Sequence, residues 1–364
     1  MKTGAVILSG GYSSRMNGFK PLMELGKKNL LARAVQLFRS SGVDKIVVVT
    51  GHRKKDVKEE AARLDIKSVF NKEYDKGMYS SVCAGVKQMK EMDAFFILPV
   101  DIPLIRPITL SELLKNKPEK GVLYPSFLGE RGHPPLISTA LIPAILKFDG
   151  KGGLKALLEK FPGKDVAVWD EGILMDADMP EDFELLEKRL LRMDVGSRLE
   201  AKVLAGLVMK KRGVDHGLAV AQIACSIGCQ LNRISSNLDI DRLYNSGLLH
   251  DIAKGETHHE ERGAEMLKDL GLKRLAGIVG AHRDVIVPKS GKIGEKELVC
   301  LADKLVRGTT RMSVKQRFEE KLTLYAKDAD ACKAIRKRLS HTKELERLVV
   351  DVLGRPIADI IGKE

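Results

Sequence analysis

The sequence predicts an α/β domain built on a mostly parallel sheet, followed by an all-α domain, and three observations predict it. Short apolar runs alternate with amphipathic stretches up to about residue 170; strand signals nearly vanish after residue 180; and Gly196–Ser197, in "RMDVGSRLE" at residues 192–200, can end one helix and cap the next. At 364 residues the chain also exceeds what one hydrophobic core usually organises. The predicted division is therefore 1–194 and 195–364.

In the first part, Val6–Leu8, Ile46–Thr50, Phe95–Val100 and Val122–Tyr124 read as buried strands, because they are β-branched or aromatic and bounded by Gly, Pro or charge. Asn29–Ser40, Asp56–Leu64 and Tyr79–Lys90 between them read as helices. Such alternation implies a parallel sheet covered on both faces. Further on, Glu181–Met193, Arg198–Lys211, Val214–Leu231, Asp241–Leu249 and Glu295–Val306 carry apolar residues at three- and four-residue spacing, the pattern of a helical bundle.

With 44% hydrophobic and 30% charged residues the composition is that of a soluble globular protein. The net charge of +13 points to anionic ligands such as phosphates. Zinc-finger spacing, aromatic ribonucleoprotein motifs and a basic zipper are absent, and one Trp with six Tyr leaves few rings for base stacking, so nucleic acid is not the expected partner. Met1–Lys2 leads straight into a strand-like run rather than a signal peptide, and no apolar stretch approaches the roughly 20 residues that cross a bilayer. A cytoplasmic protein without a membrane partner is expected. Of five cysteines, Cys225 and Cys229 share a helix face and read as core thiols.

"LSGGYSSRMNGFK" ends the first strand in flexible backbone and positive charge. Beyond the carboxyl end of a strand in an open α/β sheet, a Gly-rich turn lets backbone N–H groups approach phosphate oxygens, while Ser, Arg and Lys add charge-assisted hydrogen bonds. Leu8, Ser9, Gly10, Gly11, Ser13, Arg15 and Lys20 thus form a candidate phosphate cradle; a plain strand-to-helix turn is the alternative. "LPVDIPL" sets Asp101 directly after a buried strand, suited to Mg2+. Asp176 and Asp178 in "MDADMPEDFELL" precede a helix whose first residue is Pro180, so capping and metal binding are both open to Asp178.

These stretches, with "NKEYDKGMYSSVCAGV", "GERGHPPLIS" and "KGGLKALLEK" in order, resemble the nucleotidyltransferases that finish molybdenum cofactor, over about residues 1 to 190. The resemblance implies a Rossmann-like sheet, Lys20 and Arg15 on the triphosphate, and Asp101 carrying catalytic Mg2+, with Asp178 as the further candidate ligand. It places Gly77, Ser80 and Ser81 on the nucleotide, and His133, Asp176 and Asp178 near the pterin phosphate. Ser9–Gly10 stands where the cytidylyl branch has Ala-Ala, a Gly there being more typical of the guanylyl branch, and Asn17 replaces a Gly. "GMYSS" and "RGHPP" favour the cytidylyl branch, so CTP leads GTP, with CMP passing to molybdopterin phosphate and pyrophosphate leaving. The alternatives are a sugar- or alditol-phosphate nucleotidyltransferase, and a non-catalytic chaperone that delivers the finished cofactor to a molybdenum hydroxylase apoenzyme.

In the second part, "SGLLHDIAKGE" sets His250 beside Asp251; His216, His259, His282 and Asp303 complete a set of imidazole and carboxylate groups typical of Mn2+, Fe2+ or Zn2+ sites. The ordered set resembles the HD phosphohydrolase superfamily over about residues 200 to 310. By that resemblance His216, His250, Asp251 and Asp303 hold one metal, His259 (with His258 as competitor) and His282 help hold a second, Asp251 bridges, and Lys254 contacts substrate phosphate. A bland alternative pairs Asp303 with Arg307 on a metal-free domain. Residues after about 312 are helical and charged, with no motif.

Overall fold

The computed structural model describes residues 1–16, 18–116, 120–234, 236–288 and 291–361; the Asn17 substitution lies outside the described residues. The chain divides into two compact units, Met1–Leu191 and Arg192–Glu364.

The first unit is built on a sheet of eight strands: β1 (Thr3–Ser9), β2 (Lys45–Thr50), β3 (Lys67–Phe70), β4 (Ala94–Pro99), β5 (Val122–Phe127), β6 (Glu130–Arg131), β7 (Leu136–Ser138) and β8 (Gly163–Ala167). Their order is β8-β5-β7-β4-β1-β2-β3, with β6 paired to β5. All seven residues of β1 are buried, which is why it reads as one unbroken apolar run: it lies between β4 and β2, parallel to both. The sheet is mostly parallel as expected, but β7 is antiparallel to β4 and β5, and β6 to β5. The sequence reading missed β3 and β8 because they are the sheet's edges, where exposure permits Lys and Asp within the strand. Helices α1 (Leu30–Ser40), α2 (Lys54–Arg63) and α3 (Met78–Val86) follow the first three strands, and α4 (Pro180–Leu190) closes the unit. Asn29 caps α1 by accepting from the Ala32 amide at 2.7 Å.

The register of this sheet builds the loop region. Leu8 pairs with Pro99, and the Val100 amide donates to the Leu8 carbonyl at 3.1 Å, so the Gly-rich turn after β1 and Asp101 after β4 emerge side by side. The Ala177 amide donates to the Asp101 carbonyl at 2.9 Å, drawing Asp176 and Asp178 to the same end.

The second unit is helical: α5 (Arg198–Val208), α6 (Lys211–Ile234), α7 (Ile240–Leu249), α8 (His259–Asp269), α9 (Lys273–Val279), α10 (Glu295–Lys304), α11 (Val314–Leu324) and α12 (Ala329–Leu353) are its principal elements. Ser197 caps α5 by accepting from the Glu200 amide at 3.0 Å, as its place after Gly196 suggests. The core joins Val220, Ile227 and Leu231 of α6 to Leu298 and Leu301 of α10, Phe318 of α11 and Val349 of α12. Cys229 is exposed and Cys225 only half-buried, correcting their reading as core thiols: the i, i+4 stripe they share lies at the rim of the buried face of α6. Among the described residues no helix is long and apolar enough to cross a membrane.

Helices α6 and α7 touch backbone to backbone. A Cβ on Gly217 would lie 2.2 Å from the Leu248 carbonyl oxygen, and one on Gly247 would lie 2.8 Å from the Ala221 Cα. That approach brings His216, on α6, to His250, at the end of α7. Gly217→Ala should therefore part the helices and lower stability by about 1–3 kcal/mol. Gly206→Ala, whose Cβ meets nothing within 4 Å, should not lower the thermal midpoint. Calorimetric midpoints of the two variants check the contrast.

Candidate functional site

In the first unit a cavity of about 450 Å3 opens where β1 and β4 end. Leu8, Ser9, Gly10, Gly11, Ser13, Arg15, Lys20, Gly77, Ser81, Asp101 and Asp178 line it, as expected for one ligand site. A Cβ on Gly11 would meet nothing within 4 Å, so packing does not account for this glycine; its bare backbone faces a region with room for a ligand. Ser13 holds φ at 55° and accepts from the Lys20 amide at 3.0 Å, which folds the loop back and aims Lys20 inward. Lys20 Nζ donates to Asp178 Oδ1 at 2.7 Å and to Asp101 Oδ2 at 3.3 Å. Arg15 is 3.9 Å from Asp178 and its side chain is exposed, free to swing onto an incoming anion.

The electrostatics follow from crowding three carboxylates at one end of a sheet. Hydrogen bonding from Lys20 holds Asp178 below the usual carboxylate range. Burial, with the charges of Asp178 and Asp101, pushes Asp176 up. Burial opposes the charge on Lys20, but Asp178 and Asp101 outweigh it and raise the amine. A carboxylate cluster with one buried lysine suits a divalent cation that follows the phosphates of a nucleotide.

His133, Ser80 and Asp176 are not among the residues that line this cavity. The His133 amide is tied to the Ile173 carbonyl at 3.0 Å, its Nδ1 is buried without a partner, and burial lowers its pKa. The Ser80 hydroxyl lies 2.7 and 2.8 Å from the carbonyls of Glu73 and Gly77, either of which takes its one proton, so it holds its own turn. Asp176 lies close enough to Asp178 and Asp101 to feel their charge. The sequence reading also missed Tyr12, Tyr74 and Met78 in the wall; Tyr12 sat inside the quoted loop, and its exposed ring lies 5.7 Å from that of Tyr74.

The second unit gathers four of its histidines around Asp251 and Asp303. His216, His250 and Asp251 offer ligand atoms all within 4.8 Å of one another, and so do Asp251, His259 and His282. Asp251 joins the two groups: its Oδ2 is 3.5 Å from His250 Nε2, and its Oδ1 is 3.3 Å from His259 Nε2 and 3.6 Å from His282 Nε2. Asp303 Oδ1 is 3.2 Å from His216 Nε2 and 3.6 Å from His250 Nε2. His259 rather than His258 faces the cluster, and Lys254 Nζ donates to Asp251 Oδ2 at 3.0 Å. The pairing of Asp303 with Arg307 does not form: Arg307 pairs with Glu320, and Asp303 takes Lys304 Nζ at 2.6 Å. Lys304, buried and also donating to the His282 carbonyl at 3.2 Å, was missed although it directly follows Asp303.

Protonation tests whether these residues fit a metal. The Nδ1–H groups of His216, His250 and His282 donate to the carbonyls of Gly308, Gly247 and Val279 at 2.9, 2.8 and 2.6 Å. Each Nε2 lone pair is thereby turned toward carboxylate oxygens, an arrangement of acceptor against acceptor unless a cation or a second proton lies between. His250 Nε2 and Asp251 Oδ1 are buried and make no hydrogen bond, the orphaned atoms a metal would satisfy. Burial pushes Asp251 up, yet with a proton on the Nε2 of His250 and His282, and with Lys254, the carboxylate is held far below its usual range, and the same pairing raises His250 against its burial; a cation between these atoms would take the place of those protons. Burial likewise opposes the charge on Asp303, which Lys304 and His216 hold well below that range. Burial keeps His259 low and so neutral, as a ligand must be. The residues fit a pair of divalent ions.

Elemental analysis tests the arrangement. Purified protein should carry one to two divalent ions per chain, lost when His250 and Asp251 are both changed to Ala and shed as pH falls below the range in which imidazole is neutral. Full retention in the double variant would remove these residues from any metal site.

The family of MobA-like NTP transferase domains matches residues 5–166, and the HD domain family matches residues 213–308. An uncharacterized protein of Methanocaldococcus jannaschii is 30% identical over 129 residues, covering 30% of this chain and 76% of that protein. The molybdenum cofactor cytidylyltransferase of Escherichia coli is 24% identical over 185 residues, 50% of this chain and 95% of that protein. The bifunctional protein GlmU of Francisella philomiragia is 36% identical over 118 residues, 32% of this chain, which spans 26% of that protein. Among solved structures, a nucleotidyl transferase of Methanothermobacter aligns with a TM-score of 0.48 and 23% identity, covering 52% of this chain and 98% of that one. The chain thus joins two enzyme families, a MobA-like NTP transferase domain followed by an HD domain.

Proposed function

We propose that the first unit transfers CMP from Mg2+-bound CTP to a molybdopterin-type phosphate, releasing pyrophosphate, and that the second is a metal-dependent phosphohydrolase. The observation that carries the first reading is Lys20 held between Asp101 and Asp178 at the mouth of the Gly-rich loop. In the transfer, an oxygen of the acceptor phosphate bonds to the α-phosphorus as the bond to pyrophosphate breaks. An ionised phosphate is already nucleophilic, so the protein needs only to position and neutralise. Backbone amides around Gly10 and Gly11 cradle the phosphates, Lys20 supports the charge that develops on the leaving group, and exposed Arg15 closes over the chain. Asp101 and Asp178 would hold Mg2+, which would shield that charge. Tyr12 and Tyr74 offer aromatic faces to the base.

The orphaned His250 Nε2 and Asp251 Oδ1 carry the second reading. Bound metals would there supply an activated water and a counter-charge for the phosphate. Lys254 is placed to orient that phosphate, since its amine leans on Asp251 and is otherwise exposed.

Pyrophosphate release with CTP and GTP in parallel tests the first reading. Lys20→Ala should depress turnover by about two orders of magnitude or more. Near-normal release in that variant would take Lys20 out of the catalytic set, and faster turnover of GTP would make Gly10 the better guide to the base.

The halves 1–194 and 195–364 are taken to act separately. Asp101→Asn should abolish transfer while hydrolysis of a chromogenic phosphoester by the full chain is unchanged; loss of both would tie the two activities together.

A further inference from the structure

The metal-ligand cluster of the second unit opens into a cavity of about 950 Å3. This is the upper end of the range of about 300–1,000 Å3 usual for small-molecule sites, and far more room than one phosphate needs. His216, Asp251, His259, His282 and Asp303 belong to one part of its wall. Another part comes from helices α11 and α12, in the stretch whose sequence carried charge but no motif: Arg317 and Lys321, four residues apart on one face of α11, and Arg338 on α12. These helices lie beyond residues 213–308, so they are an addition to the HD domain.

The charge on this wall lacks a counterpart. Several other cations of the cavity are answered within the unit: Lys254 by Asp251, Arg283 by Glu260, Lys304 by Asp303 and Arg307 by Glu320, while Lys210 and Arg212 add further positive charge to the rim. Among the described residues no carboxylate forms an ion pair with Arg317, Lys321 or Arg338, and Arg317 Nε is buried without a hydrogen-bond partner. Burial and the neighbouring charges of Lys304 and Arg317 push the Lys321 amine down to about 8. Like charges gathered in a partly buried concavity cost free energy unless an anion joins them. Guanidinium groups with a free edge suit phosphate oxygens, which accept in a plane from paired N–H donors.

We infer that Arg317, Lys321 and Arg338 form a second phosphate subsite beside the metal cluster, so that the second unit takes a chain of linked phosphates in preference to a phosphomonoester. The inference rests on reading the histidine cluster as a metal centre. A terminal phosphate sits at the cluster with Lys254, and the next phosphate reaches the guanidinium wall. Inorganic diphosphate and the phosphate chain of a nucleotide share this chemistry. The first is also the by-product of the transfer proposed for the first unit, so its hydrolysis by water to two orthophosphates would draw that transfer forward.

The test is isothermal titration of the full chain carrying Lys20→Gln, which weakens phosphate binding in the first unit. Orthophosphate, inorganic diphosphate, CMP and CTP are compared with and without added Mn2+, and metal content is measured alongside. Diphosphate should bind about tenfold or more tighter than orthophosphate. Adding Arg317→Gln and Lys321→Gln should erase that gap, while orthophosphate affinity and metal content stay within about threefold. Equal gains for diphosphate and CTP identify the phosphate chain as the ligand; a gain for CTP over CMP without one for diphosphate identifies the nucleotide chain. A gap that survives the substitutions, or none for either diphosphate over orthophosphate or CTP over CMP at the outset, overturns the subsite. Failure of the metal reading shows separately, as a chain that binds no Mn2+ yet keeps a gap sensitive to Arg317 and Lys321. Should circular dichroism show the double variant unfolded, Lys321→Gln alone, with Lys321→Arg restoring affinity, decides the question.

Discussion

A buried carboxylate must have a cation, and the second unit is arranged around that requirement at Asp251. The residue is 6% exposed, at the end of an apolar helix where an unpaired charge would cost several kcal/mol. Lys254 answers one oxygen, and the lone pairs of three histidines crowd the rest. Each imidazole is locked by its other nitrogen to a backbone carbonyl or, for His259, set 3.3 Å from Glu260, so it cannot turn away to relieve the crowding. What keeps such a site in the protein is therefore the ligand it fits.

The same constraint takes a milder form in the first unit. Asp101 and Asp178 lie in a partly open cavity, where water shares in screening them and one lysine suffices to join them. A nucleotide's phosphates compete for that lysine, and a divalent ion can replace it on the carboxylates. Binding then exchanges one set of charge pairs for another and leaves no charge uncompensated. Ser13 fixes the geometry of this exchange by holding the Lys20 backbone from across the loop.

Backbone proximity does for the helical unit what strand register does for the sheet. Pairing of β1 with β4 carries the Gly-rich turn to Asp101. Contact between α6 and α7 at Gly217 and Gly247 carries His216 to His250, and the Gly247 carbonyl also receives the His250 ring proton. One glycine thus permits the helix crossing and orients the ligand beside it, and this couples packing in the core to the chemistry of the site.

Local chemistry was enough to determine, from the sequence alone, four of the sheet's inner strands (β1, β2, β4 and β5, though not the three-residue β7), the helices with a periodic apolar face, the Gly-rich loop with Lys20 and Asp101, and the histidine and aspartate set of the second unit. Each depends on burial repeated along a short segment or on residue types whose chemistry is specific. The edge strands β3 and β8 were not legible, because an edge has one neighbour and half its surface in water, which erases the apolar pattern. Only the tertiary structure decided that the Ser80 hydroxyl is taken up by the carbonyls of its own turn, Glu73 and Gly77. It alone also decided that Lys304 is buried beside Asp303, and that Arg317, Lys321 and Arg338 line the same cavity as the histidine cluster. A charged residue on a helix looks the same in sequence whether water or a cavity lies before it. Which of the two it meets is set by how the helices pack, and that depends on contacts between residues far apart in the chain.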